Sequence, residues 1–255
     1  MARTVISSAV EATPATSDTV CPQCSGAGFF KKAVPVTDAD FGRLFPCSCR
    51  REAQARRAAD DLLAISNLGA FLDKRFENFN STMPGVQRAF IRAKNFAERP
   101  AGWLVLMGNY GCGKTHLAAS VANRLIENHY RVLFAVVPDL LDHLRSAFGP
   151  TSEVEYDRRF EDVRDAQILI LDDLGTEHTT GWAREKLYQI INHRYNHAMP
   201  TVVTSNCEPR QIDPRIFSRL SDRALSEEIT VIDASDFRQL TPQQRYGQVN
   251  ARRRA

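Results

Sequence analysis

The sequence predicts an α/β protein: a parallel sheet flanked by helices, preceded by a small cysteine-bearing module. Three observations carry this. From about residue 85, short apolar runs alternate with longer stretches of helical periodicity, the pattern of strands joined by crossover helices. One such run, "WLVLM" at 103–107, leads into "GNYGCGKT" at 108–115, a glycine-rich loop that opens a helix. Four of the six cysteines fall in two close pairs between residues 20 and 50.

Taken in order, residues 1–19 are rich in Ala, Thr and Ser and are expected to form a disordered tail. Residues 20–66 hold the cysteine module and a basic helix, "RREAQARRAADDLLAI". Arg50, Arg51, Arg56 and Arg57 charge its first half; Leu62, Leu63 and Ile65 make the second half apolar. Residues 67–84 read as a loop-rich linker with aromatic anchors. The α/β domain covers 85–240. A helix over 86–98 precedes the strand 103–107, and the helix after the glycine loop carries Leu117, Val121 and Leu125 on one face. "RVLFAVV" is strand-like, and "PDLLDHLRSAF" places proline where a first helical turn accepts it. "AQILILDD" is a buried strand, "AREKLYQIINHRYNHA" a helix with Leu187, Ile190, Ile191 and Tyr195 on one side, and "PTVVTSN" a further strand. Residues 241–255 form a basic tail ending in "NARRRA".

Composition bounds the function. Hydrophobic residues are 43% of the 255, enough for a real core. Lys and Arg number 33 against 30 acids, so global charge does not mark a nucleic-acid binder and any basic surface must be local. No apolar stretch reaches the ~18 residues a membrane span needs. The N-terminus lacks a secretory apolar core. A cytoplasmic location with no membrane partner is expected.

Gly108, Gly113, Lys114 and Thr115 satisfy G-x-x-x-x-G-K-[ST] between a strand and a helix, the context this phosphate-binding motif requires. Backbone N–H groups can surround a polyphosphate only where no Cβ intrudes, and the helix N-terminus adds partial positive charge. The expected cradle is Gly108, Asn109, Tyr110, Gly111, Cys112, Gly113, Lys114, Thr115 and His116. Lys114 would reach the β- and γ-phosphates and Thr115 would bind Mg²⁺. Cys112 reads as a small filler rather than a nucleophile. Asp172 and Asp173 emerge at the carboxyl end of "ILILDD", where open α/β sheets bind ligands. Asp172 is assigned to Mg²⁺ through water, and Asp173 to polarising the attacking water. Asn206, ending "TVVTSN", is assigned to orient that water.

"GNYGCGKT", "ILILDDLG", "TVVTSN" and "RIFSRLSDR", in this order, resemble the AAA+ ATPases. More narrowly they are similar to the bacterial helicase loaders of the DnaC/DnaI type and the related IstB transposition ATPases. The resemblance spans about residues 70–240 and implies a P-loop AAA+ sheet that assembles as a ring or spiral, an arginine of one subunit completing its neighbour's site. Arg219 best matches that arginine, with Arg215 as the alternative. Arg238 matches a cis arginine near the phosphates. Few residues follow Arg223, which matches a family that lacks the helical lid. Many AAA+ enzymes carry glutamate where this chain has Asp173; the shorter side chain implies slow, switch-like hydrolysis of ATP to ADP and phosphate.

Cys21-x2-Cys24 and Cys47-x-Cys49 can surround Zn²⁺ tetrahedrally in a closed, structural site. Free thiols or a redox pair are the competing reading. So short a segment with few aliphatics needs a staple to fold. In the resemblance, loaders of the DnaI type use such a module to engage a replicative DnaB-type helicase, while IstB-type proteins carry a helical N-terminal region. Loaders also grip single-stranded DNA, and here Phe148, Thr180 and Trp182 are the candidate contacts, by stacking and phosphate binding. Three functions therefore stand: an ATP-dependent helicase loader, an IstB-like ATPase directing a transposase, or a zinc-dependent adaptor that holds ATP only as a structural ligand.

Overall fold

The computed structural model describes residues 21–50, 53, 66–146, 153–175 and 180–241. The expected tail at 1–19, most of the basic helix, Phe148 and the chain beyond 241 lie outside the described residues. Two compact units divide the chain, Met1–Arg57 and Ala58–Ala255. No helix among the described residues is long and apolar enough to cross a membrane.

In the first unit, β1 (Phe29–Lys31) and β2 (Leu44–Pro46) form an antiparallel ribbon that sets Phe30 opposite Phe45. Its only buried apolar side chains among the described residues are Cys24 and Cys47.

The second unit is built on β3 (Trp103–Gly108), β4 (Val132–Val136), β5 (Ile168–Asp172), β6 (Thr201–Ser205) and β7 (Ile229–Ile232). Their order in the sheet is β4-β5-β6-β3-β7, and every neighbouring pair is parallel. A parallel sheet buried on both faces demands near-continuous apolar strands, which explains "WLVLM" and "ILIL". Alternation then sorts the side chains. Leu104, Leu106, Phe134, Ile168, Ile170 and Val202 meet helices α1 (Gln87–Glu98) and α2 (Lys114–Glu127). Trp103, Val105, Leu133, Leu169, Leu171 and Val203 meet α3 (Val137–Ser146), α4 (Glu153–Arg164), α5 (Gly181–Asn196) and α6 (Pro214–Leu220). A short helix, α7 (Arg223–Ser226), leads into β7.

Several elements were not expected from the sequence, α4 and β7 among them. Among the described side chains of α4, Tyr156, Phe160 and Val163 face the core, a thin stripe in an otherwise charged segment. Strand β7 is a four-residue sheet edge with Val231 turned to solvent, flanked by acids. The linker proves more ordered than its composition suggests. It forms two 3-10 turns, Asn67–Phe71 and Phe76–Asn78, with Phe71 packed 5.3 Å from Phe134 and Phe76 edge-on to Phe90.

A buried cation locks one end of the sheet. Arg194 of α5 is fully enclosed and donates to the Arg164, Ala166 and Pro200 carbonyls and to Thr201 Oγ1 at 2.6–2.9 Å. Burial, opposed only by the nearby Asp165 charge, brings its pKa down to about 10. At the opposite end, the parallel arrangement delivers the carboxyl ends of β3, β5 and β6 to one edge, bringing Gly108, Asp172 and Ser205 together there.

Candidate functional site

The glycine loop joins β3 to α2 through backbone angles open mainly to glycine. Gly111 has φ +69° and Gly113 φ +100°. A Cβ at Gly113 would lie 2.8 Å from the Phe79 ring, and one at Gly111 only 1.7 Å from Asp236 Oδ1. The loop is therefore hemmed by the linker on one side and by the segment after β7 on the other. Phe237 N–H donates to the Gly111 carbonyl at 3.1 Å and holds that segment in place. Lys114 is buried, and its ammonium donates to the carbonyls of Gly108 (2.9 Å) and Asn109 (2.8 Å). Cys112 is also buried, its sulfur 3.8 Å from that ammonium, which fits a filler.

The acidic strand end meets this loop directly. Thr115 Oγ1 donates to Asp172 Oδ2 at 3.0 Å, and Thr204 Oγ1 donates to Asp172 Oδ1 at 2.6 Å. The Thr204 hydroxyl in turn accepts the Asp173 N–H at 3.0 Å. Burial raises the Asp172 pKa, the Thr204 hydrogen bond opposes this, and the Asp173 charge adds to it. Asp173 itself sits at φ +59°, a left-handed conformation unusual for a residue other than glycine, and lines the cavity described below. A hydroxyl beside a carboxylate is a hard oxygen donor set, so Thr115 and Asp172 fit Mg²⁺.

Thr204 is the residue that sequence reasoning left without a role. The signal was present: two hydroxyl residues, Thr204 and Ser205, close a fully buried strand, and buried hydroxyls must find partners. Ser205 Oγ donates to the Leu174 carbonyl at 2.7 Å, so both hydroxyls brace the β5 end.

A cavity of about 530 Å³ opens beside the loop. Lys114, Thr115, Asp173 and Arg238 contribute its polar wall; Phe71, Phe79, Met83 and Phe237 contribute an apolar one. His116 presents its ring to the linker: Nε2 lies 3.0 Å from both the Arg75 carbonyl and Asn78 Oδ1, and burial lowers its pKa. His116 also lines the cavity, beside Lys114 and Thr115. Asn206 follows β6 and, like Arg219 of α6, is not among the lining residues.

Of the expected DNA contacts, Thr180 caps α5, its hydroxyl accepting the Ala183 N–H at 3.2 Å. Trp182 is half-buried against the core, with the Arg145 guanidinium 5.1 Å from its ring.

In the first unit, the sulfurs of Cys21, Cys24, Cys47 and Cys49 all lie within 4.8 Å of one another. Four sulfurs at ~2.3 Å from one centre would stand about 3.8 Å apart. Cys21–Cys47 and Cys24–Cys49 are 3.7 and 3.4 Å apart, so the donor set fits a tetrahedral metal. Burial raises the Cys24 thiol, but hydrogen bonds with Cys49 and from Gly28 N–H outweigh it and bring the pKa down to about 7. The same contact with Cys24, together with burial, pushes Cys49 up to about 12.

The second unit's glycine loop, buried lysine and braced acid, on a five-stranded parallel sheet, define an AAA+ type nucleotide-binding domain. The chain belongs to the IstB-like ATP binding protein family, whose model matches residues 49–229. It is similar to the replicative helicase loader DnaC of Buchnera aphidicola subsp. Baizongia pistaciae, with 26% identity over 156 residues, 60% of this chain and 63% of that protein. It is similar also to the replicative helicase loader DnaI of Bacillus subtilis, with 29% identity over 124 residues, 48% of this chain and 39% of that protein. The chain thus spans less than two thirds of these two relatives. The crystal structure of the DnaC helicase loader superposes with a TM-score of 0.56 at 23% identity, covering 64% of this chain and 98% of that one, a likeness of fold.

Proposed function

We propose that this protein is an ATP-dependent loader that places a replicative DnaB-type helicase on single-stranded DNA, using ATP hydrolysis as a slow switch. The observation that carries the ATPase half is the hydrogen-bonded chain Thr115–Asp172–Thr204–Asp173 beside the buried Lys114. Lys114 exchanges the Gly108 and Asn109 carbonyls for the β- and γ-phosphates. Thr115 and Asp172 hold Mg²⁺, which neutralises phosphate charge when bound. Thr204 fixes both acids at once. Asp173 takes the proton of the attacking water, which Asn206 orients, and the γ-phosphoryl bond to the leaving ADP breaks. Arg238, already in the cavity wall, steadies the phosphates in cis, and Arg219 of a second copy completes the site in trans.

The loader half draws support from the relatives' names and from the cysteine unit. The four thiolates hold structural Zn²⁺, and this module docks the helicase. Thr180, Trp182 and Phe148 contact the DNA within a spiral of subunits. The IstB-like family match favours a second reading, in which the same ATPase directs a transposase.

Size-exclusion chromatography with a DnaB-type helicase, with and without ATP and a zinc chelator, tests this. Co-elution that requires both metal and nucleotide is expected. Indifference to zinc removes the docking role, and capture of a transposase instead of the helicase selects the second reading.

A further inference from the structure

Helix α6 carries two arginines one turn apart, and their surroundings differ in charge. The Arg215 guanidinium pairs with Asp213 at 3.2 Å and with Glu185 at 3.4 Å, and these carboxylates raise its pKa further. Its charge is answered within its own subunit. Arg219 is held at four points, but by neutral groups. Its Nε and Nη2 donate to Asn192 Oδ1 at 3.0 and 2.6 Å, Nη2 also donates to the Tyr188 hydroxyl at 3.1 Å, and Nη1 donates to the Arg215 carbonyl at 2.7 Å. The guanidinium lies 4.8 Å from the Tyr188 ring centre. Asp222, the next acid along the chain, is occupied by the Tyr195 hydroxyl and the Ala224 N–H.

Neutral acceptors fix the plane of a guanidinium without cancelling its charge. The rotamer freedom of a long side chain is then lost on folding rather than on meeting an anion. A phosphate oxygen offers a charge-assisted bond that an amide oxygen or a phenol cannot match. Tyr188, Asn192 and Tyr195 are spaced i, i+4 and i+7 on α5, so a single helix face builds the platform.

We infer that Tyr188 and Asn192 are positioning residues, which hold Arg219 as an oriented, uncompensated cation for the phosphates bound by a second copy of this chain. The inference rests on the reading of Arg219 as the trans arginine. It also separates Arg219 from Arg215, which motif matching alone does not.

A mixing experiment with full-length protein tests both levels. Arg219→Ala subunits keep an intact ATP site; Lys114→Ala subunits keep an intact arginine. Each alone turns over little ATP, and the mixture recovers activity. Placing Asn192→Asp or Tyr188→Leu in the Lys114→Ala partner lowers that recovery by about tenfold or more. ATP affinity of the Arg219→Ala subunit and the partner's melting temperature stay unchanged. Asn192→Asp is the sharper variant. It preserves shape and gives Arg219 an ion pair, so a merely structural contact survives it, whereas a cation kept free for phosphate does not. Full rescue by the Asn192→Asp partner overturns the positioning role and leaves the trans arginine standing. No rescue by folded Lys114→Ala protein overturns the trans reading, and the positioning role with it.

Discussion

The two units hold themselves together by different physics. In the second, apolar side chains from five strands and six helices fill both faces of a sheet, and stability is spread over dozens of residues. In the first, two cysteines are the only buried apolar side chains among the described residues, while Val36, Phe41 and Leu44 are 76%, 52% and 62% exposed. A ribbon of two three-residue strands cannot exclude enough water to fold by itself. Each unit is fragile in its own way. Hydrophobic stability fails gradually, one cavity at a time; a four-thiolate site fails all at once.

Metal removal should unfold the first unit and spare the second. Structural zinc contributes on the order of 10–16 kcal/mol of apparent binding energy to small domains. Chelation is therefore expected to abolish amide protection at 29–31 and 44–46 while leaving 103–107 and 168–172 protected. Hydrogen exchange read by mass spectrometry, with metal content measured in parallel, checks this. Retained protection in metal-free protein would mean that the ribbon stands without its staple.

An intermediate effect probes the second unit where it departs from its own rule. Arg194 is a cation in an apolar interior, and its removal leaves three carbonyls and a hydroxyl short of a donor. Arg194→Met is expected to destabilise the second unit by about 3 kcal/mol, the size set by losing hydrogen bonds to a charged group. Urea denaturation followed by tryptophan fluorescence should show a lower midpoint with an unchanged slope, since Trp103 and Trp182 both pack in this unit. A midpoint at the wild-type value would show that the carbonyls find water instead.

What could be read from the sequence follows the same division. Strands β3, β5 and β6 were legible because burial on both faces leaves no polar position to blur them. The glycine loop was legible because chemistry constrains its residues one by one. Strand β7 and α4 were not, since an edge strand and a helix with one thin apolar stripe mix solvent and core at nearly every step. Asp172 could be placed from its position at a strand end. That Thr204 ties Asp172 to the Asp173 backbone could not, because it depends on the β5–β6 neighbourhood, which periodicity does not encode. The neutral setting of Arg219 was hidden for the same reason: Asn192 and Tyr188 look like ordinary polar positions on a helix surface.

Acid separates the two units as well, through a modest contribution from Asp213. Asp213 caps α6, accepting the Arg215 N–H at 2.8 Å, and its bond with the Arg215 side chain holds its pKa below the usual carboxylate value. A carboxyl depressed in this way adds stability that is complete above its unfolded pKa of about 4 and is lost as pH falls through the lower folded value. Asp213→Ala should cost about 1 kcal/mol at neutral pH, the usual worth of an N-cap, and Asp213→Asn less, since the amide oxygen still accepts. The gap between wild type and Asp213→Ala should close only in strong acid. Thiolate ligands behave oppositely in range: they are protonated, and release metal, at pH values where carboxylates remain charged. Acid titration followed separately at the ribbon and at β3 should therefore unravel the first unit well before Asp213 is felt. Simultaneous loss of both units would tie them energetically and erase the distinction drawn between a stapled fold and a packed one.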